Sequence, residues 1–431
     1  MNKETTMQEN ILFDYLGTLT LRQRGIARKV LAKPIRANGG TIYADAVDFG
    51  QSLVDSGYTV KMDHKDSGEQ APSLMSPNST WFRKKDLGVH VFQLAAFMLG
   101  GTEPKKEIEE KVEEGEAEIQ ALTKALVART QEIKAGVSPI PPFPKDYFDV
   151  CQNMFLGDVV WEGLELANMN LSGAFLGGAK MSTANLSDAD LRDTVLSKAN
   201  LVEAKLTGVK GDGIQCQETN LRGASLRGGS FSGGSFEDVD LSFSDLTGVT
   251  ADNTCFDEAD MEDVRASGSN MSLSSFYRAD GRGIDFSGAD LTETYFDEAT
   301  LIAANFSKAI CTKANFSEAN LNSANFEEAN LKGAELVKSD LQDAGMWGAD
   351  LRNADLTKAD LSGADLRDAD LRGAKFCGAN LSGADLSGAL VEDADFSRVD
   401  FTDAILEGTD FRGACLLWAY GLPKKNSEMS V

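Results

Sequence analysis

Few residues of this 431-residue sequence could support catalysis. Histidine occurs twice, as His64 and His90, and neither is accompanied by the residues that a metal site or a Ser-His-Asp arrangement would need. Aspartate pairs could supply an acid and a base, but they recur at regular intervals, as turn and surface residues do, instead of converging on a pocket. We therefore predict that the protein is not an enzyme and holds no metal or cofactor.

The cysteines and the start of the sequence bear on the compartment. Six cysteines are scattered without CxxC spacing: Cys151, Cys216, Cys255, Cys311, Cys377 and Cys415. Two of them fall on central positions of the repeat described below, so we predict reduced core thiols in a cytoplasmic bacterial protein. The opening MNKETTMQEN has no signal-peptide character, and no apolar run approaches the roughly 18 residues of a membrane span.

The dominant feature of the sequence is a period of five residues. Steps of five from Leu166 to Leu416 give 51 central positions in one unbroken phase, and all but four hold a large apolar residue or Cys. The exceptions are Gly211, Ala251, Ala266 and Gly281. The position two residues before each centre is mostly small or β-branched and is never charged, which is typical of a tightly packed corner.

A period of five fits neither a straight helix nor a single strand. On a helix successive centres would march round the axis, and in a strand they would alternate between faces. The chain must therefore bend once per unit, and four bends of about 90° close a square coil. The segment GGSFSGG at 228–234 has Phe231 on a central position and no Walker-type Lys, so we interpret it as part of the repeat and not as a phosphate loop.

A second period of twenty residues gives the number of sides. Phenylalanines recur twenty apart in two sets: Phe236, Phe256, Phe276, Phe296 and Phe316, and then Phe286, Phe306 and Phe326. They predict two internal stacks on opposing walls of a four-sided coil. The 51 units then make about 13 coils in a rod roughly 60 Å long, with a weak stretch at 248–283, where small residues replace three centres.

On these motifs, residues 164–418 resemble the pentapeptide repeat family, whose members form a right-handed quadrilateral parallel β-helix. The resemblance implies a mainly β protein, here preceded by a small α+β module and a long helix. The family includes gyrase-binding DNA mimics of the Qnr and MfpA kind and secreted effectors. This sequence lacks the coil-interrupting loops of Qnr proteins and is much longer than MfpA-like proteins, which argues against gyrase binding.

The remaining segments differ in composition from the repeats. We predict an α+β module at 1–103, a charged helix at 104–136, a Pro-rich linker at 137–147, a cap at 148–163 and a tail at 419–431. In the module, TIYADAV and YTVKM are typical of strands, and LGVHVFQLAAFML is apolar enough for a buried helix. The helix carries two apolar heptad positions, one formed by Val112, Ile119, Leu126 and Ile133 and the other by Ile108 and Leu122. It packs either on the N-terminal module or against a second copy.

Acidity is the one functional signal in the repeats. From residue 151 onward we count 46 acidic and 23 basic residues, which is −23 of the total net charge of −25. Over the predicted rod this is one net charge per about 2.6 Å, of the same order as duplex DNA at about 1.7 Å. The alternative explanation is structural: an Asp before a centre hydrogen-bonds to the backbone at the bend, and its charge keeps the rod soluble.

These observations predict a non-enzymatic scaffold or adaptor that binds another protein. The alternatives are a DNA mimic that binds DNA gyrase or topoisomerase and, on architecture alone, a type VI secretion accessory protein or exported effector. We expect no direct nucleic-acid binding, and two surfaces for a homodimer are the C-terminal end and the 104–136 helix. The candidate partner-binding residues are Asp350, Asp355, Asp360, Asp365, Asp370, Trp347, Trp418 and Tyr420. For Trp418, as for Trp161, the alternative that we favour is that the side chain covers an open end of the core.

Overall fold

The computed structural model describes the backbone of four short strands and all atoms of residues 119–128, 130–131, 151 and 156–422. The chain divides into two compact units. The first contains residues 1–160 and 173–179, and the second contains residues 161–172 and 180–431. No helix among the described residues is long and apolar enough to cross a membrane.

The strands of the first unit form two antiparallel hairpins. Strand β1 (Ile35–Ala37) pairs with β2 (Gly40–Ile42), and β3 (Thr59–His64) pairs with β4 (Gln70–Met75). The predicted YTVKM strand therefore corresponds to β3. The apolar helix expected from LGVHVFQLAAFML lies outside the described residues.

Residues 119–128 and 130–131 are helical, within the segment predicted as a charged helix. Its apolar face is buried at Ile119, Leu122 and Leu126, whose side chains are at most 2% exposed. Thr130 on the same face donates its hydroxyl to the carbonyl of Leu126 at 2.8 Å. These three apolar heptad residues are thus covered within the chain itself, although the rest of the predicted helix lies outside the described residues.

The second unit is built from isolated parallel β-bridges between residues twenty apart. The bridges form four ladders, which we call faces 1 to 4. Face 1 runs from Glu165 to Ile405, face 2 from Asn170 to Leu390, face 3 from Val195 to Cys415 and face 4 from Lys180 to Tyr420. Twenty residues per turn and four ladders give the four-sided coil that the two nested periods predict.

Each repeat of five consists of a corner residue, a ladder residue, a centre and two turn residues. The centre begins a β-turn, because its carbonyl accepts the N–H three residues on, as in Ala354 to Leu351 at 3.0 Å. The second turn residue has a positive φ, for example 59° at Asn353 and 74° at Gly388. Glycine is favoured at 388 by this φ and also by space, since an added Cβ would meet the carboxylate of Asp368 one coil below.

The centres fill the interior, and the structure confirms the two predicted phenylalanine stacks. Phe256 and Phe276 are stacked with ring centroids 4.8 Å apart and an interplanar angle of 11°. Phe286 belongs to the other stack and meets Phe276 edge-on at 5.7 Å. All three side chains are at most 1% exposed, so the aromatic groups form a continuous core.

The weak stretch predicted at 248–283 keeps its backbone pairing. The N–H groups of Ala251, Ala266 and Gly281 donate to carbonyls one coil on at 2.7, 2.7 and 2.8 Å. Neighbouring side chains fill the space, since a Cβ on Gly281 would lie 2.9 Å from Leu301 Cδ2. The ladders therefore run through these positions, where the sequence suggested a bulge or groove.

Candidate functional site

The ladder aspartates hold the bends together. Oδ1 of Asp350 accepts the N–H of Arg352, the first turn residue of the same repeat, at 3.1 Å. Asp355, Asp360, Asp365 and Asp370 each accept the equivalent N–H at 3.1 to 3.3 Å. Asparagine does the same in other repeats, as Asn380 accepts the N–H of Ser382 at 3.0 Å. Where a ladder residue bonds the bend in this way, it supplies an acceptor oxygen, and a negative charge is not needed.

The five candidate aspartates do not form one stripe. Asp350 and Asp370 are bridge partners on face 2, whereas Asp355 lies on face 3, Asp360 on face 4 and Asp365 on face 1. Residues five apart in sequence turn a corner between them, and only residues twenty apart share a face. An acidic stripe on this fold must therefore be sought at intervals of twenty.

Arginines neutralise several of these carboxylates. Arg352 donates from Nε to Asp350 at 2.8 Å and from a terminal nitrogen at 2.6 Å. This bidentate pairing lowers the pKa of Asp350, and Arg372 lowers that of Asp370 in the same way. The Asp350 and Asp370 side chains are only 26% and 20% exposed. Face 2 at this level thus offers little free negative charge.

Trp347, also on the candidate list, lies on face 1. It is the first turn residue after Gly345, and its side chain is 38% exposed. The indole N–H donates to Oδ2 of Asp368 in the next coil at 3.2 Å. The exposed indole is thereby held in one orientation.

Trp418 and Tyr420 project from the last described coil. Trp418 is 65% exposed, with the Arg398 guanidinium 4.9 Å from its ring centroid. Tyr420 is 57% exposed, and a hydrogen bond to Asp400 raises the pKa of its hydroxyl. The sequence favoured Trp418 as a cover for the open core, and this interpretation is wrong because turn geometry directs its side chain outward. Trp161, its counterpart in that prediction, is fully buried.

Sequence reasoning missed several exposed apolar side chains. Tyr295 is a ladder residue on face 3 and is 51% exposed, and Leu273 is a turn residue on face 2 that is 52% exposed. Others are Phe243, Ile310, Leu390, Ile405 and Leu417. The signal was present, because every ladder and turn position of the five-residue register points outward and a large apolar residue there is therefore exposed.

Two of the cysteines lie in the core of the repeats. Cys216 and Cys311 are buried centres, and burial raises the pKa of both thiols. Among the residues that the structure describes, no group of His, Cys, Asp and Glu side chains is arranged to hold a metal ion.

Comparison with known proteins agrees with the repeat. The family description "Pentapeptide repeats" matches in eight copies, at residues 163–197, 184–210, 214–256, 254–292, 282–310, 309–348, 348–383 and 379–416. No curated protein sequence matches the chain.

Several solved structures are similar to the chain. HetL, a pentapeptide repeat protein involved in heterocyst differentiation regulation from the cyanobacterium Nostoc sp. strain PCC 7120, is 32% identical over 48% of this chain and 90% of HetL, with a TM-score of 0.39. The pentapeptide repeat protein alr5209 from Nostoc PCC 7120 is 44% identical over 24% of this chain and 84% of its own, with a TM-score of 0.21. QnrB1, a plasmid-mediated fluoroquinolone resistance protein, is 20% identical over 43% of this chain and 89% of its own, with a TM-score of 0.24.

Proposed function

Because the chain belongs to the pentapeptide repeat family, whose fold is a right-handed quadrilateral β-helix, we propose that it is a non-enzymatic scaffold that binds another protein through the faces of its repeats. One observation carries the proposal. Large apolar side chains stand at outward positions of a backbone that is hydrogen-bonded coil to coil, with Trp347 and Tyr295 as examples. Such a backbone presents anchors with little loss of entropy on binding.

Within each repeat of five, different residues form the core and the surface, and this division supports the proposed function. Centres and corners build the core, and ladder Asp or Asn residues complete the turns. The two turn residues have no common sequence requirement apart from the positive φ of the second. They can therefore vary from coil to coil, so that about 13 coils provide many surface positions on an invariant support.

DNA mimicry receives less support from the same geometry. A mimic must present carboxylates in a continuous stripe, but the five candidate aspartates lie on four different faces, and arginines pair with three of them, Asp350, Asp365 and Asp370. We expect no inhibition of DNA supercoiling by gyrase when the protein is added. A variant carrying Asp240→Asn, Asp260→Asn and Asp280→Asn tests the point on a true stripe, because these residues follow one another on face 4. Inhibition by the native protein that this variant loses would establish the mimic instead.

The scaffold function can be tested by scanning the faces with a photo-crosslinking amino acid. It is introduced singly at four outward turn positions, Trp347 on face 1, Thr292 on face 2, Tyr277 on face 3 and Gln342 on face 4, in cells that make the protein. We expect one protein to crosslink from one or two faces and not from the others. Absence of any specific crosslink from all four faces would overturn the proposal.

A further inference from the structure

Face 3 differs from the other faces in where its acidic residues lie. Between Gln215 and Glu335 its ladder residues are mostly neutral, namely Gln215, Ser235, Cys255, Ser275, Tyr295 and Asn315. The carboxylates are instead turn residues: Glu218, Glu237, Asp238, Asp257, Glu258, Asp297, Glu298 and Glu318. The hydrogen bond from a ladder aspartate to the turn N–H explains why ladder residues are often acidic. It does not explain why the turn residues of face 3 are acidic.

The charge of this surface is also unbalanced. With Glu335, the outward positions of face 3 in this stretch carry nine carboxylates and one basic residue, Arg278. Face 1 between Ser225 and Glu328 carries four acidic and three basic residues. Three of the face 3 carboxylates form ion pairs, with Lys198, Arg278 and Lys338. The other six have no ion-pair partner among the described residues.

Two tyrosines, the half-buried Tyr277 and the exposed Tyr295, lie among these carboxylates. Tyr277 is a turn residue, and Tyr295 is the ladder residue in the next coil, directly above Ser275. The backbone N–H of Tyr277 donates to Asp257 at 3.0 Å, which ties the aromatic residue to the coil below. Burial raises the pKa of Asp297 beside them, and Glu335 and Glu298 raise it further. The side chain of Asp257 thus contacts the backbone of Tyr277, and Asp297 follows two residues after Tyr295.

The surface already holds one guanidinium, which shows the ligand chemistry it accommodates. Arg278 lies with its guanidinium carbon 4.8 Å from the centroid of the Tyr277 ring. Its Nε donates to Glu298 at 2.8 Å, and the same carboxylate accepts the Tyr277 hydroxyl at 3.4 Å. Ring stacking and a charge-assisted hydrogen bond are combined here in the manner that favours Arg over Lys.

From these contacts we infer that face 3 between Gln215 and Glu335 is the docking surface for an arginine-bearing segment of a partner protein. The inference rests on the proposed scaffold function and names the class of partner. A guanidinium group of the partner stacks on the exposed ring of Tyr295, next to the Arg278–Tyr277 pair. Further guanidinium groups donate to carboxylates of this face that have no ion-pair partner among the described residues, such as Asp257, Glu258 and Asp297. Charge complementarity selects a basic segment, and the rings select arginine.

The charge of face 3 also determines which part of the face a basic segment covers. Beyond Glu335, the outward positions carry four basic residues, Lys338, Lys358, Lys375 and Arg398, against two acidic ones, Asp355 and Asp395. An entirely basic ligand is therefore repelled from the C-terminal half of face 3. The arginines of the partner must lie over the N-terminal half.

The test uses the full chain and a labelled 12-residue Gly/Ser peptide that contains four arginines. Matched peptides carry four lysines or four citrullines in their place, and binding is followed by fluorescence anisotropy at about 0.15 M salt. We expect the arginine peptide to bind several-fold more tightly than the lysine peptide and the citrulline peptide not to bind. Equal affinity for arginine and lysine would overturn the role given to the rings.

Two triple variants separate this surface from general acidity. One carries Glu237→Gln, Glu258→Gln and Glu298→Gln on face 3, and the other carries Asp240→Asn, Asp260→Asn and Asp280→Asn on face 4. Each removes three negative charges, and thermal unfolding checks that both remain folded. We expect the face 3 variant to lose about tenfold or more in affinity and the face 4 variant less than about twofold. Equal losses would contradict the inference.

A double variant, Tyr277→Ser with Tyr295→Ser, tests the anchors, with Tyr420→Ser as the control for loss of an exposed ring. Unchanged affinity in the double variant would sink the stacking model. Failure of the inference is distinguishable from failure of the scaffold function. Crosslinks to a partner from faces 1, 2 or 4 alone would leave the scaffold standing and remove face 3 as its docking surface.

Discussion

Asp350 and Asp370 are ladder partners in successive coils, and Arg352 lies close to both carboxylates. Its Nε is 2.8 Å from Asp350 Oδ1 and 3.6 Å from Asp370 Oδ2. Each aspartate also accepts the backbone N–H two residues later. One ladder residue thus closes a turn and holds an arginine, and these two roles can be separated by substitution.

Replacing Asp350 by Asn should cost less stability than replacing it by Ala. The amide oxygen of Asn can still accept the Arg352 N–H, as Asn380 does in its own repeat. We expect Asp350→Asn to lose at most about 1 kcal/mol, the value of an exposed ion pair, and Asp350→Ala to lose about 1 kcal/mol more. Urea unfolding measures both, and equal losses would show that charge, not turn closure, is the requirement.

Acid should weaken the repeats through the same pairs. Arginines two residues on lower the pKa of Asp190, Asp350, Asp365 and Asp370. A depressed pKa means that the charged form favours the folded state. This contribution is complete above the ordinary value of about 3.9 and is lost as pH falls through the lower folded values. The test measures the midpoint temperature of thermal unfolding between about pH 5 and 2, in steps of about one pH unit. As the pH falls, this midpoint should decrease less steeply for the double variant Arg352→Gln with Arg372→Gln than for the native chain.

Truncating Phe276 to Ala should destabilise the second unit by about 3 to 5 kcal/mol. Its ring is stacked between Phe256 and Phe296, at 4.8 Å from each, and meets Phe286 edge-on. The matched control is Phe243→Ala, because Phe243 is a turn residue that is 44% exposed. We expect the control to lose less than about 1 kcal/mol, and similar losses in chemical denaturation would mean that the stacks do not carry the core.

Two buried serines at equivalent corner positions should respond in opposite directions. Ser274 donates to the Ala251 carbonyl at 2.7 Å and accepts the Thr254 N–H at 3.0 Å. The Ser269 hydroxyl is equally buried and has no hydrogen-bond partner among the described residues. We expect Ser274→Ala to lose about 1 to 3 kcal/mol and Ser269→Ala to be neutral or stabilising. Loss of stability in both variants would indicate that Ser269 is satisfied by water.

The repeats were predictable because large apolar residues recur in one phase. The spacing of Phe256, Phe276 and Phe286 predicts two stacks on opposing walls, whereas the edge-on contact between the stacks is seen only in the structure. The distribution of surface charge was not anticipated, although it follows from the same register. Asp350, Asp355 and Asp360 belong to consecutive repeats in the sequence, whereas the fold places them on three different faces.

The side-chain contacts of the candidate anchor residues could not be predicted from the sequence. Nothing in the sequence indicates that the indole of Trp347 bonds to Asp368, or that Arg278 stacks on Tyr277, because both contacts depend on side-chain orientation. For Trp418 the sequence predicted a contact that the structure does not have. An aromatic residue near the end of a repeat array suggests a cover for the core. Trp418 is instead the second turn residue of its repeat, with a φ of 63°, and this position directs its side chain away from the core.

The C-terminal end of the repeats is a candidate surface for self-association. The large side chains of Ile405, Leu417, Trp418 and Tyr420 are 50 to 65% exposed there. In earlier coils the N–H of each centre generally donates to the next coil, as Leu386 does to Ile405 at 2.8 Å, but that of Leu406 has no backbone partner among the described residues. An apolar rim around unpaired ladder groups favours a second copy as its cover. The 104–136 helix is a weaker candidate, because the three heptad residues described there are already buried.

We therefore expect light scattering after size-exclusion chromatography to detect a dimer whose population rises with protein concentration, and Leu417→Ser with Trp418→Ser to shift it to monomer. Tyr295→Ser removes an exposed ring from face 3 and should leave the dimer intact, which controls for a general loss of apolar surface. A third variant that ends at Leu422 tests whether residues 423–431 compete for the same edge, in which case the dimer should strengthen. A native chain that stays monomeric at every concentration, and also after this shortening, would rule out the end as a self-association surface, because the apolar rim and the unpaired N–H groups would then be insufficient to hold two copies together.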